Sequence, residues 1–370
     1  MRIKDIAATI ETIAPLRLAQ AWDNVGLLIG SPQADIRNIL LTIDVTKAVI
    51  DEAKRQKAEL IISYHPVIWD GLKKITTEGQ TSTILELIRA GIAVFSIHTA
   101  LDSAIGGVND GLAEIIGIEN PKPIGDYVDY PAGGNFKLVV FVPAESASRL
   151  ANAVFAAGAG AIGNYSHCGF QVEGTGTFLP LAGAKPAIGR KGKLETVKES
   201  RLETIVPAEK LDSVIAAMKK VHPYEMPAYD VIRLSNEQQK FGLGRIGKLS
   251  QPLSIKTIIR LVKKATSAKA VGIVGTKDRL VRTAAVCAGS CGAIINQVIT
   301  AKTDLYLTGE LKHHQALAAQ ELGLTCICLS HTVSERFMLR KLAKQLKNQL
   351  KQVNIKVSKK DADPFEWKVL

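Results

Sequence analysis

Short apolar runs alternate with segments of helical period at both ends of this chain, and the alternation breaks in the middle. N-I-L-L-T-I-D (38–44), E-L-I-I-S-Y (59–64) and I-A-V-F-S-I (92–97) read as buried strands. Between them, 46–55 has helical period with Thr46 placed to cap it, and 81–91 reads as a helix closed by Gly91. The pattern returns near the C-terminus. There 280–288, 304–308 and 324–330 are strand-like, helices lie between them, and a long helix runs from Val333 to about Gln349. Strands separated by helices predict an α/β fold, a mostly parallel sheet with helices on both faces.

The middle has a different order. Residues 133–143 read as a strand, 146–157 as a helix, and a Gly-rich stretch follows to Gly192. Then come a strand at 201–207, a helix at 208–221 and a strand at 228–234. The order β-α-β-β-α-β is that of the ferredoxin-like split unit. At 370 residues two domains are the default. We therefore expect a discontinuous α/β domain of 1–125 and 240–370, interrupted by an inserted ferredoxin-like α+β domain of 126–239. The polar 235–240 serves as its exit linker.

Metal-type ligands fall at the ends of the apolar runs. Five of the seven histidines (His65, His98, His313, His314 and His331) lie in four short stretches, 61–66, 98–102, 308–314 and 330–335. Sites in open α/β sheets form beyond the carboxyl ends of strands. His65, His98 with Asp102, Glu310, and His331 each follow a different expected strand. His331 and Glu335 are spaced i, i+4 at a helix start, so both can address one ion. A lone strand-end histidine is more often a core or capping residue than a ligand. Four strand ends in agreement favour a His/Asp/Glu site for Zn, Mn or Fe. His313 and His314, in a helix's first turn, read as functional without being ligands. Asp44 also ends a strand, where capping the next helix is an equal reading.

Other features are weaker. Cys287, Cys291, Cys326 and Cys328 lack zinc-pair spacing and read as small buried residues, and the odd, low total of five cysteines points to a reducing, cytoplasmic setting. G-S-C-G (289–292) reads equally as an anion cradle or as tight packing. In the middle region, H-C-G-F (167–170) and H-P-Y-E (222–225) hold the other two histidines, and a turn explains H-P-Y-E at least as well as a ligand site. No stretch approaches ~20 unbroken apolar residues, so no membrane span is expected. The formal net charge is +12, with a basic cluster at 340–360. No aromatic residues interleave it, so a solvated helix face is favoured over a nucleic-acid surface.

A-W-D-N-V-G-L (21–27), Y-H-P (64–66), H-T-A-L-D...G-G-V-N-D (98–110), L-T-G-E-L-K-H-H (307–314) and S-H-T-V-S-E (330–335) resemble the NIF-three-like dinuclear metal-centre proteins. These are also called GTP cyclohydrolase I type 2 homologues. The middle region, with R-L-E (201–203) and H-P-Y-E-M-P-A-Y-D (222–230), resembles the PII-like domain of the longer bacterial members. The resemblance implies a two-metal site, up to two divalent ions per chain (Zn, Mn or Fe), and a homo-oligomer, often a hexameric ring. By motif it makes His65, Asp102, His331 and Glu335 the metal ligands. Many bacterial members carry two adjacent histidines where this chain has Tyr64-His65, which leaves one ion short of a ligand.

The resemblance further implies a metal-dependent hydrolase of a nucleotide-like substrate. In that reading GTP is opened at C8 with release of formate, and the nucleophile is water activated by the metal. His98, His313 and His314 are the candidate acid-base catalysts. The alternative is a non-catalytic metal-bearing ring whose inserted domain senses a small molecule or binds a partner. A nucleic-acid-associated ring is favoured by the charge alone.

Overall fold

The computed structural model describes residues 1–366 except Gln80, 129–134, Asn164, 236–240 and Lys277. The chain divides into two compact units. One joins Met1–Val128 to Lys240–Leu370; the other is Asp129–Gln239. The 236–240 part of the expected exit linker lies outside the described residues.

The discontinuous unit is α/β, but it holds two sheets where the sequence pattern suggested one. The first has the order Gly26–Ile29, Ala93–Ser96, Leu60–Ser63, Asn38–Thr42, Asn354–Val357. Its last four strands are parallel, and Gly26–Ile29 pairs antiparallel at the edge. The second has the order Gly272–Val274, Thr325–Cys328, Leu305–Thr308, Leu280–Cys287, Phe241–Ser254, Ile118–Val128. Only its three central strands, Leu280–Cys287, Leu305–Thr308 and Thr325–Cys328, are parallel. The strand Ile118–Val128 runs past Gly125, where the sequence pattern had suggested the insert begins, and pairs with Phe241–Ser254, the first strand after it.

The core follows from strand alternation. Successive side chains point to opposite faces, so a continuous apolar run feeds two cores. Ile39, Leu41 and Ile62 face a large central core, while Leu40, Ile61 and Val94 pack under Val49, Ile50 and Leu87 of the outer helices. In the second sheet, Val286, Leu305 and Ile327 join the same central core, and Ala285, Tyr306 and Cys326 face Ile294, Ile295 and Ala319 on the other side. Central helices, including Val108–Ile116, Ile255–Thr266 and Met338–Gln349, supply Leu112, Ile258 and Leu342. Thr46 caps Lys47–Arg55 as the sequence suggested, its hydroxyl accepting from the Val49 amide.

The expected long helix is two. His331–Arg336 carries the i, i+4 pair, and Met338–Gln349 continues after Phe337. Arg340, Lys341, Lys344 and Lys347 on the second are all exposed, the arrangement expected of a solvated face. No helix among the described residues is long and apolar enough to cross a membrane.

The Asp129–Gln239 unit is a four-stranded antiparallel sheet of order Gly169–Phe178, Glu195–Pro207, Asn135–Pro143, Tyr229–Arg233. Helices Ala147–Ala156 and Leu211–Val221 pack Leu150, Val154, Val214 and Met218 on Leu138, Val140 and Leu202. The chain order is β-α-β-β-α-β. The Gly169–Phe178 strand lies within what the sequence showed only as a Gly-rich stretch.

Candidate metal centre

The carboxyl ends of strands from both sheets converge on one cluster. His65 follows Leu60–Ser63, and His98 opens the short helix His98–Ser103 after Ala93–Ser96. Glu310 follows Leu305–Thr308, and His331 opens His331–Arg336 after Thr325–Cys328. Donor atoms of His65, His331 and Glu335 all lie within 4.8 Å of one another. His331 Nε2 is 3.3 Å from Glu335 Oε1, and His65 Nε2 is 3.6 Å from Glu335 Oε2. The His98 ring centroid is 5.1 Å from that of His65.

Each imidazole is held the same way. Nδ1 of His65 donates to Asp44 Oδ1, Nδ1 of His98 to Asp23 Oδ1, and Nδ1 of His331 to Glu310 Oε1, each at 2.9 Å. A carboxylate on Nδ1 fixes the tautomer and leaves the Nε2 lone pair for a Lewis acid or a proton. Asp23 is itself fixed by the Thr99 amide at 3.0 Å. Asp44 is thus an orienting partner, since Thr46 performs the capping. Asp23 was not legible in the sequence: it stands before a strand and not at the carboxyl end of one, and its only trace is its place in A-W-D-N-V-G-L.

Glu335 is the centre of the arrangement. It is 3% exposed, and its Oε2 has no hydrogen-bond partner among the described residues. A buried carboxylate oxygen without a partner costs on the order of 1–3 kcal/mol or more, so such atoms normally mark a functional group. The backbone makes room for it. Gly289 has φ +68°, and a Cβ there would lie 2.7 Å from Glu335 Oε1. A Cβ on Gly309 would lie 2.5 Å from the Gly289 carbonyl. The Gly289 amide accepts no anion; it donates to Ser334 Oγ at 2.8 Å, so this part of G-S-C-G is close packing. Ser330, at φ +75°, turns the chain into the His331 helix, a strained conformation of the kind that concentrates at functional sites.

The electrostatics call for a cation. The hydrogen bond that Glu335 accepts, outweighing burial and aided by Glu310, holds the His331 imidazole up to about 10. Burial alone would lower His65, but its Asp44 hydrogen bond and the Glu335 charge raise it instead. Burial lifts the Asp102 carboxyl to about 6 against the pull of His98 and Tyr64. Both shifts come from carboxylates packed against the imidazoles, so negative charge is concentrated at this point.

Asp102 stands beside the cluster of three rather than in it. Its Oδ1 accepts the hydroxyl of Tyr64, a buried side chain whose phenol burial pushes far upward, so it stays protonated. His313 and His314 open the helix His313–Glu321 with both side chains exposed. Among the described residues neither makes a hydrogen bond, ion pair or ring contact with the cluster. Two exposed tryptophans do reach it: Trp69 and Trp22 meet the His98 ring edge-on at 5.4 and 5.9 Å. A cavity of about 340 Å³ opens beside His331 and Glu310, lined also by Leu311, Cys328 and Ser330. All five cysteines are free.

These donors fit a divalent ion: two neutral-capable imidazole Nε2 atoms, a buried carboxylate and three orienting acids are ordinary ligand chemistry for Zn, Mn or Fe. The profile of the Duf34/NIF3 family, NGG1p interacting factor 3, matches residues 1–364. A Bacillus subtilis protein named GTP cyclohydrolase 1 type 2 homolog is 38% identical over 368 residues, 98% of each chain. A solved Bacillus cereus protein related to NIF3 superposes with a TM-score of 0.86 at 38% identity, covering 100% of this chain and 99% of that one. Staphylococcus aureus SA1388 does so with 0.81 at 26%, with the same coverage. With its fold and almost its whole length matched, the chain belongs to the Duf34/NIF3 family.

Proposed function

We propose that this protein is a metal-dependent hydrolase of a nucleotide-like substrate, working by the chemistry for which its relatives are named, opening of the guanine ring of GTP with release of formate. The observation that carries the reading is the partnerless Oε2 of buried Glu335, facing His65 Nε2 while Oε1 faces His331 Nε2. His65, His331 and Glu335 would hold one divalent ion, and Asp102 would join if its bond to Tyr64 gives way. An ion so held supplies Lewis acidity and an acidified water near neutral pH.

The residues around it have separate tasks. Asp44 and Glu310 keep the ligand imidazoles in one tautomer. His98, tied to Asp23 through Nδ1, takes or returns a proton at Nε2, and it replaces His313 and His314 as the better-placed acid-base group. Trp22 and Trp69 offer aromatic faces beside it, which suit a planar base. The adjoining cavity of about 340 Å³ is of small-ligand size.

The test is formate release from GTP by protein loaded with Zn, Mn or Fe. Turnover should vanish with chelator and return on reloading. His98→Ala should lower kcat by about 10²–10⁴-fold with metal content unchanged, whereas His313→Ala and His314→Ala should change it little. Substrate should quench the fluorescence of Trp22 and Trp69. Chelator-insensitive turnover would reject the mechanism. Absence of turnover with any nucleotide by fully loaded protein would favour the non-catalytic, regulatory ring. Assembly as a closed ring, probed by light scattering, belongs to both readings.

Tyr64→His should raise bound metal toward two ions per chain, because it frees Asp102 and adds an imidazole beside it. Elemental analysis of equally loaded proteins checks this. Equal stoichiometry in variant and wild type would show that Tyr64 does not limit the second position.

A further inference from the structure

The inserted unit has a built cavity of its own, of about 290 Å³, and the H-P-Y-E segment forms one side of it. His222 is buried and locked at both nitrogens. Its Nε2 donates to the Phe141 carbonyl at 2.9 Å, and its Nδ1 accepts the Tyr224 amide at 3.0 Å. That lock orients Tyr224, whose hydroxyl donates to Glu199 Oε1 at 2.9 Å. Glu225 Oε1 accepts the Lys185 amide at 2.8 Å, tying down the segment that carries Pro186 and Ile188 into the lining. The turn reading of this motif is therefore incomplete: the turn places a phenol and one carboxylate at a cavity, opposite the Glu199 carboxylate of the strand Glu195–Pro207.

The lining chemistry selects the ligand. Phe141, Phe178, Tyr224 and Met226 give apolar and aromatic surface, and Phe178 meets the Tyr224 ring edge-on at 5.7 Å. The charged residues in the lining, Glu199 and Glu225, are both acids. Arg201, two residues on from Glu199, lies over the Phe141 ring at 5.8 Å and is paired with Glu203 at 2.9 Å, without lining the cavity. Gly176 opens the space for the carboxylate: a Cβ there would sit 2.1 Å from Glu199 Oε2. A carboxylate held in aromatic surroundings is stabilised by a cation that also stacks on the rings.

We infer that this cavity binds a small organic cation with a flat or apolar body, an aryl amine or amidinium, its charge on Glu199 and its body against Phe178 and Tyr224. The volume is at the lower end for ligand pockets, which restricts the ligand to a single ring or a short chain.

The test uses the full chain and four probes of one size, with affinities measured by calorimetry and saturation-transfer NMR: benzamidine, phenethylamine, benzyl alcohol and benzoate. The two cations should bind, and the alcohol and benzoate at least about tenfold more weakly. Glu199→Gln should weaken benzamidine by at least about tenfold. Gly176→Ala, which forces the carboxylate aside, should do the same, with the circular dichroism and metal content of wild type. Tyr224→Phe should lose less. Equal binding of benzyl alcohol and benzamidine, full affinity in folded Glu199→Gln, or no binding of either cation at millimolar concentration would each overturn the assignment.

Discussion

Replacing Glu335 with Gln should strip most of the metal from the protein. The two side chains have nearly the same shape, so within the helix His331–Arg336 only the i, i+4 pairing with His331 changes. The difference lies at two oxygens. Oε1 faces His331 Nε2 at 3.3 Å and Oε2 faces His65 Nε2 at 3.6 Å, so this carboxylate joins ligands brought by two separate sheets. An amide offers one oxygen and turns an N–H pair toward an imidazole, removing the negative charge and one donor atom together. Even residues that only orient metal ligands typically contribute 10–100-fold in affinity, and a central ligand should contribute more. Elemental analysis after equal loading and dialysis reads the effect, with circular dichroism confirming the fold. Wild-type metal content in Glu335→Gln would remove Glu335 from the site. As a control, Asp44→Asn should weaken binding within the 10–100-fold range without abolishing it.

Glu335 and His331 were legible because their spacing has one geometric meaning on a helix. His65 and His98 were legible because strand ends are where α/β folds place ligands. Asp23 was not, because, unlike the orienting acids Asp44 and Glu310, it does not follow a strand. The two-sheet architecture was hidden for a related reason. Apolar runs report that a strand is buried on both faces, but not which other strands it joins, and the two βαβ blocks look alike locally. The Gly169–Phe178 strand was hidden because its side chains are nearly all exposed, so no alternation of apolar residues marks it. It is held by its ladder to Glu195–Pro207, a contact that only the folded chain contains. His313 and His314 drew attention by their place in a helix's first turn; the fold leaves both side chains exposed.

Replacing Arg245 with Met should destabilise the discontinuous unit by about 3–5 kcal/mol, the usual cost of removing one partner from a buried, hydrogen-bonded ion pair. Arg245 is 4% exposed on the strand Phe241–Ser254 and spends its whole guanidinium on protein. Nε and Nη2 reach the Asp110 carboxylate. Nη1 donates to the carbonyls of Gly242 and Gly244 at 2.8 and 3.0 Å. Nη2 donates to those of Ser103 and Ala104 at 3.1 and 2.9 Å, the residues that end the helix bearing His98 and Asp102. Methionine fills similar volume but removes the guanidinium's bonds to one carboxylate and four carbonyls, leaving Asp110 only the Gly106 amide and Ala104 only the Gly107 amide among the described residues. Lysine keeps the charge but cannot supply that planar fork, so Arg245→Lys should recover only part of the loss. Urea unfolding of the metal-free proteins gives the stability difference. Because the lost bonds anchor the end of the His98–Ser103 helix, metal affinity measured under native conditions should fall as well, although no atom of Arg245 belongs to the cluster. A stability change below about 1 kcal/mol would mean that water replaces the guanidinium, and that this arginine is not what fixes the helix beneath the metal centre.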